Sequence, residues 1–110
     1  MKVKSTKSED AIIISLEGEM IFGHEDKDFF EAINSIPDTK QKRVIVDLSR
    51  VKLISSWGIG MLIHGYTSVT GSGGIFKLAA IPGNVENVLT ITKLNTIFKQ
   101  FSSVEEALTA

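Results

Sequence analysis

The stretch RVIVDLSRVKLISSWGIGMLIHGYTSV, Arg43 to Val69, changes its hydrophobic period midway. Arg43 to Leu48 is short, β-branched and apolar nearly throughout, the pattern of a strand covered on both faces. Past the junction VKLISSWGIG, Val51 to Gly60, the residues Ile59, Leu62, Ile63, Tyr66 and Val69 fall on one helical face, and GSGG at Gly71 to Gly74 stops the helix. A strand therefore feeds a helix across two serines and the chain's one tryptophan.

The alternation continues in both directions. Upstream, AIIISL at Ala11 to Leu16 reads as a strand, with Val3 at the head of a weaker partner and KSED as the turn between them. From about Glu25, Phe29, Phe30, Ile33 and Ile36 recur at helical spacing until Pro37. Downstream, IFKLAAI is a strand closed by Pro82-Gly83. Asn84 then caps a helix with Val85, Val88, Leu89 and Ile91 on its apolar face, running to Lys93 to Asn95. Ile97 to Phe101 makes a last strand, and Ser103 with Glu106 has capping-box spacing ahead of VEEALTA. This order predicts an α/β fold of about five strands and about four α-helices, its mixed sheet mostly parallel and its crossovers right-handed. At 110 residues, one domain spanning 1–110 is expected.

Composition removes several function classes. A 43% hydrophobic, 23% charged chain of net charge −1 is an ordinary globular sequence. Lysines and arginines are spread along it, and KQKR, Lys40 to Arg43, reads as a solvated turn, so no nucleic-acid partner is expected. With no cysteine there is no disulfide, thiolate metal site or cysteine nucleophile. The charged start MKVKSTKSED lacks a secretion signal's apolar core, and no apolar run approaches the ~18 residues of a membrane span. A cytoplasmic protein without membrane insertion is expected.

No catalytic or cofactor set converges. His24 and His64 stand forty positions apart without neighbours at ligand spacing, so no metal is expected. No G-x-S-x-G elbow surrounds Ser56, and Gly58, Gly60 and Gly65 miss the dinucleotide spacing. Glu25, Asp26 and Asp28 complement a helix dipole, while Asp47 ends a strand and satisfies loop amides. What remains is the junction, at the carboxyl edge where such sheets gather functional groups. A serine there can cap the helix, and Gly58 and Gly60 allow close backbone approach. The partly positive helix N-terminus would also stabilise a phosphate on that hydroxyl. Trp57, in the first turn, suits an interface anchor.

VIVDLSRVKLI followed by Ser55, Ser56, Trp57, Gly58, Ile59 and Gly60 resembles the signature of the STAS domains, and among them the small single-domain bacterial anti-sigma factor antagonists. ISLEGEM looks like the family's second strand, and IFKLAAI with NVENVLTITKLNTIFKQFSSVEEAL like its closing elements. The resemblance implies a STAS fold and a non-enzymatic, cofactor-free regulator, a monomer or weak dimer. Its partner would be an anti-sigma factor that is itself a serine/threonine kinase, and a serine phosphatase would reset it. It places the phosphoacceptor at Ser56, with Ser55 as second choice, and the partner surface at Ser55, Ser56, Trp57 and Gly58. Ser55 stands where the family usually has aspartate, Trp57 where it has a small hydroxyl residue, and GEMIFGHED lacks a common aspartate. Two alternatives stay open: an unphosphorylated STAS interaction module of a stress-signalling or lipid-transport assembly, and a nucleotide- or small-ligand-binding module.

Overall fold

The structure is a computed structural model that describes residues 2–8, 11–20, 26–35 and 43–110. The expected turn at Glu9-Asp10, His24, Glu25, the helix end at Ile36 and Pro37, and Lys40 to Lys42 lie outside them. In chain order the elements are β1 (Lys2–Ser8), β2 (Ala11–Met20), α1 (Asp26–Asn34), β3 (Arg43–Ile54), α2 (Ser56–Gly71) and β4 (Ile75–Ala79), followed by α3 (Gly83–Ile91), a 3₁₀ turn (Leu94–Thr96), β5 (Lys99–Phe101) and α4 (Val104–Thr109). The strands form one sheet in the order β1-β2-β3-β4-β5; β1 and β2 are antiparallel and every other pair is parallel. This is the mixed, mostly parallel sheet with four helices that the alternating sequence predicts.

Strand alternation divides the apolar residues between two faces. Ile12, Ile14 and Leu16 of β2, Val44, Val46 and Leu48 of β3, and Phe76 and Leu78 of β4 belong to the main core. Phe29 and Ile33 of α1, Met61, Leu62 and Val69 of α2, and Val85 and Leu89 of α3 cover that face. On the other face a smaller cluster of Ile45, Ala79 and Ala107 is covered by α4. Gly65, in the middle of α2, is required by close packing: a Cβ there would stand 2.9 Å from the Phe29 ring and 3.2 Å from that of Phe76.

Several sequence expectations are corrected. The third strand does not stop at Leu48 but runs to Ile54, because β2 also continues to Met20 and pairs with it through two register irregularities. Asp47 is therefore inside a strand; it accepts the Ser49 amide at 3.0 Å and the Ser15 hydroxyl at 3.4 Å. Asn84 does not cap α3. Pro82 holds that position, and the Asn84 side chain donates to the Lys52 carbonyl instead. Ile91 is 80% exposed, since α3 ends there and only Val85 and Leu89 reach the core. The last strand is shorter than Ile97 to Phe101, because Leu94–Thr96 turns as a 3₁₀ helix. The capping of α4 follows the sequence: the Ser103 hydroxyl accepts the Glu106 amide at 3.1 Å, and the Glu106 carboxylate accepts the Ser102 hydroxyl at 2.9 Å.

Lys77 of β4 is buried under α4. Its Nζ donates to the carbonyls of Ala107 and Ala110 at 2.7 and 2.9 Å and lies 5.0 Å from the Phe101 ring centroid. Arg43 adds a bond to the Leu108 carbonyl at 2.8 Å. Cations at a helix C-terminus satisfy carbonyls that the helix leaves open. Burial, then the charges of Arg43 and Lys99, push the Lys77 pKa down. The unfolded chain therefore binds more protons at this position above the lowered pKa, so its contribution to stability grows as pH rises toward the ordinary lysine value. Lys77→Met should cost about 1–3 kcal/mol at neutral pH, since Ala107 and Ala110 lose donors. Urea denaturation of both proteins from neutral to alkaline pH tests both points, and the alkaline gain should be absent in the variant.

Candidate functional site

β3 passes into α2 with one residue between them. Ser55 occupies the N-cap position in an extended conformation, and its carbonyl accepts the Ile59 amide at 3.0 Å. Its side chain does not cap the helix, contrary to the simplest sequence reading. The Ser55 amide and hydroxyl instead both donate to the carbonyl of Met20, the last residue of β2, at 3.0 and 3.2 Å. Ser55 thus latches the start of α2 to the end of β2.

Gly58 completes the latch. A Cβ at this position would stand 2.6 Å from the Met20 oxygen, 2.9 Å from the Met20 Cβ and 2.8 Å from Ile54 Cγ1. No side chain fits, so glycine is needed for close approach. Gly60, expected to serve the same purpose, has open space around it. Neither Met20 nor the open setting of Gly60 had a local sequence signal, because both follow from where β2 ends.

Ser56 is the first residue of α2 and is exposed. Its hydroxyl makes no hydrogen bond among the described residues. The first turn of the sixteen-residue helix contains no acidic side chain, so the partial positive charge of its N-terminus is not offset there. Trp57 is half-buried and packs against the main core, so it is partly structural. Its exposed part lines an open cleft of about 290 Å³ with Phe30, Ser56, Met61 and His64. The His64 ring lies 4.7 Å from that of Phe30. The sequence pattern put Phe30 in a core stripe and gave His64 no role; the i, i+4, i+8 spacing of Ser56, Gly60 and His64 is the signal that groups the helix side of this cleft.

The structure therefore brings Ser55, Ser56, Trp57 and Gly58 together at one helix start, with Ser55 and Gly58 facing β2 and Ser56 facing outward. Among the described residues, no three His, Cys, Asp or Glu side chains are grouped to hold a metal, and no helix is long and apolar enough to cross a membrane.

A sheet of this order, with a serine-bearing junction at the end of its central strand, defines a STAS domain. The sequence matches the STAS domain over residues 2–107, and the chain belongs to that family. A Thermotoga neapolitana protein with the provisional designation of anti-sigma factor antagonist is 36% identical over 66 residues, 60% of this chain and 58% of that relative. The match therefore spans less than two thirds of that relative's length. A crystal structure from Thermotoga maritima, with the same provisional designation, superposes with a TM-score of 0.78 at 23% identity, covering 97% of this chain and 92% of the other. The phosphorylated form of the Bacillus cell fate determinant SpoIIAA superposes with a TM-score of 0.73 at 16% identity, covering 98% and 97%.

The latch has a direct test. Gly58→Ala should destabilise by about 1–3 kcal/mol, because the methyl group meets backbone that cannot yield. Gly60→Ala should instead stabilise by about 0.5–1 kcal/mol, the ordinary gain for a helical glycine in open space. Guanidinium unfolding of the two variants beside wild type measures both, and the opposite signs are the expected result.

Proposed function

We propose that this STAS domain is an anti-sigma factor antagonist that binds an anti-sigma factor with serine kinase activity and is switched off by phosphorylation of Ser56. The observation that carries this reading is the placement of Ser56: an exposed hydroxyl without a hydrogen-bond partner among the described residues, at the start of a long helix with no acid in its first turn. A phosphate would add about −1.5 to −2 charges at neutral pH. The helix N-terminus stabilises that charge, so the fold persists while the partner meets a new anion beside the Trp57 cleft. SpoIIAA, with the same fold, has been solved in both unphosphorylated and phosphorylated forms, which supports a switch of this kind. The Ser55 hydroxyl donates to the Met20 carbonyl, which supports Ser56 over Ser55 as the acceptor in this reading.

The contact surface in this reading is Ser55, Ser56, Trp57 and Gly58, and a serine phosphatase restores the active form. Ser56→Asp should change folding stability by less than about 1 kcal/mol while losing the anti-sigma factor in a pull-down that wild type passes. Incubation with that kinase and ATP, followed by mass spectrometry, should add one phosphate to wild type and none to Ser56→Ala. A wild-type protein that binds the same partner yet stays unmodified favours the interaction module without a switch, a reading that Ser55 and Trp57 support by their departure from the family pattern.

A further inference from the structure

The second sheet face is only partly covered. α4 is six residues long and packs over Ile45 and Ala79, next to Ile13 and Phe101. Further along β2 and β3 no described helix lies over that face. Val3 and Val51 turn toward the main core, so by alternation Lys2, Lys4 and Arg50 point the other way, and Lys52, the unpaired residue of a register irregularity, lines the same region. The two register irregularities between β2 and β3 fall in the same place, between Ser15 and Glu17 and between Gly18 and Glu19. A cleft of about 750 Å³ lies at this place, lined by Lys2, Glu17, Arg50 and Lys52 with Gly18, Ser49 and Val51.

The charges in this cleft are unevenly matched. Glu17 stands 3.7 Å from Lys4 and 3.8 Å from Arg50, and it is the carboxylate that holds both. Lys2 and Lys52 make no ion pair among the described residues. Counting the four cations against Glu17 and the nearby Glu19 leaves the region positive on a chain whose formal net charge is −1. Lys52 is also fixed at its backbone, since its carbonyl accepts the Asn84 side chain. Leu53, next along β3, is 47% exposed.

We propose that this cleft is a second docking surface, on the sheet face opposite α2, for an acidic peptide segment of a partner protein. Charge complementarity selects the occupant: Arg50 and Lys52 project from one strand and Lys2 from the outer strand, and carboxylates along an extended segment can reach all three. The surface is separate from the Ser56 junction and does not depend on the switch.

The test is NMR titration of the ¹⁵N-labelled protein with a synthetic deca-glutamate peptide at low and at physiological salt. Saturable shifts are expected at the amides of residues 2–4, 17–18 and 49–53, with affinity falling as salt rises. Lys52→Glu leaves the Glu17 pairs intact, and combined with Lys2→Glu it should weaken binding at least about fivefold. Lys93→Glu, a charge reversal at the end of α3, should leave it unchanged. Thermal melts of each variant confirm that it is folded. The proposal is overturned by shifts centred on α2, by equal binding of wild type and the Lys2→Glu/Lys52→Glu variant, or by tighter binding of inorganic phosphate or a short oligonucleotide at the same amides.

Discussion

The carbonyl oxygen of Met20 is the point at which the sheet and the helix that carries the site are joined. It receives two donors from Ser55 and lies where a Cβ on Gly58 would collide with it. These contacts fix where β3 ends and at what distance α2 starts, so Ser56 is directed outward by the same geometry that turns Ser55 inward. A helix start held by its own side-chain cap would be set by local residues alone. Here it is set by a strand thirty-five positions earlier in the chain, and the end of β2 has a direct mechanical connection to the exposed hydroxyl.

That connection requires β2 and β3 to be long. Both extend past the point where the sheet's other strands stop pairing with them: β4 contacts β3 only from Arg43 to Asp47, while β2 follows β3 to Ile54. A two-stranded extension twists strongly and tolerates bulges. The irregularity between Gly18 and Glu19 occurs within it, where Gly18 takes a φ of +98° that favours glycine, while the one between Ser15 and Glu17 lies where β1 still pairs with β2. The extension therefore presents the serine junction at its tip and the basic cleft along its uncovered side.

Much of this was legible in the sequence. Switches between strand and helix periodicity identified the order of elements, and Ser55, Ser56, Trp57 and Gly58 stood out because they interrupt both patterns at once. What was not legible was long-range. The length of β3 depends on a partner strand that also continues, so Arg43 to Leu48 was legible as a strand while its continuation to Ile54 beside β2 was not. Asn84 matched a capping residue, yet the Lys52 carbonyl offered it another partner. Ile91 had the right spacing for a core position, but α3 ends before its face reaches the sheet. Lys77 interrupts an apolar strand and gave no hint that backbone oxygens of Ala107 in α4 and of Ala110 at its C-cap would receive it.

The two faces of the sheet have different physical characters. On the main face, Phe29 and Phe76 pack against Gly65 and are almost wholly buried, and a close-packed interior of low compressibility resists local rearrangement. A phosphate added to Ser56 would consequently act where it sits, on whatever contacts α2, rather than by rearranging the core. The other face is held by a short helix whose carbonyls rest on Lys77 and Arg43, and beyond α4 it is polar and open. Charged side chains there lie in high dielectric and contribute little to folding. Their arrangement is thus free to serve recognition, which is why the uneven matching of Lys2, Arg50 and Lys52 with Glu17 reads as a surface for an acidic segment and not as part of the fold's stability.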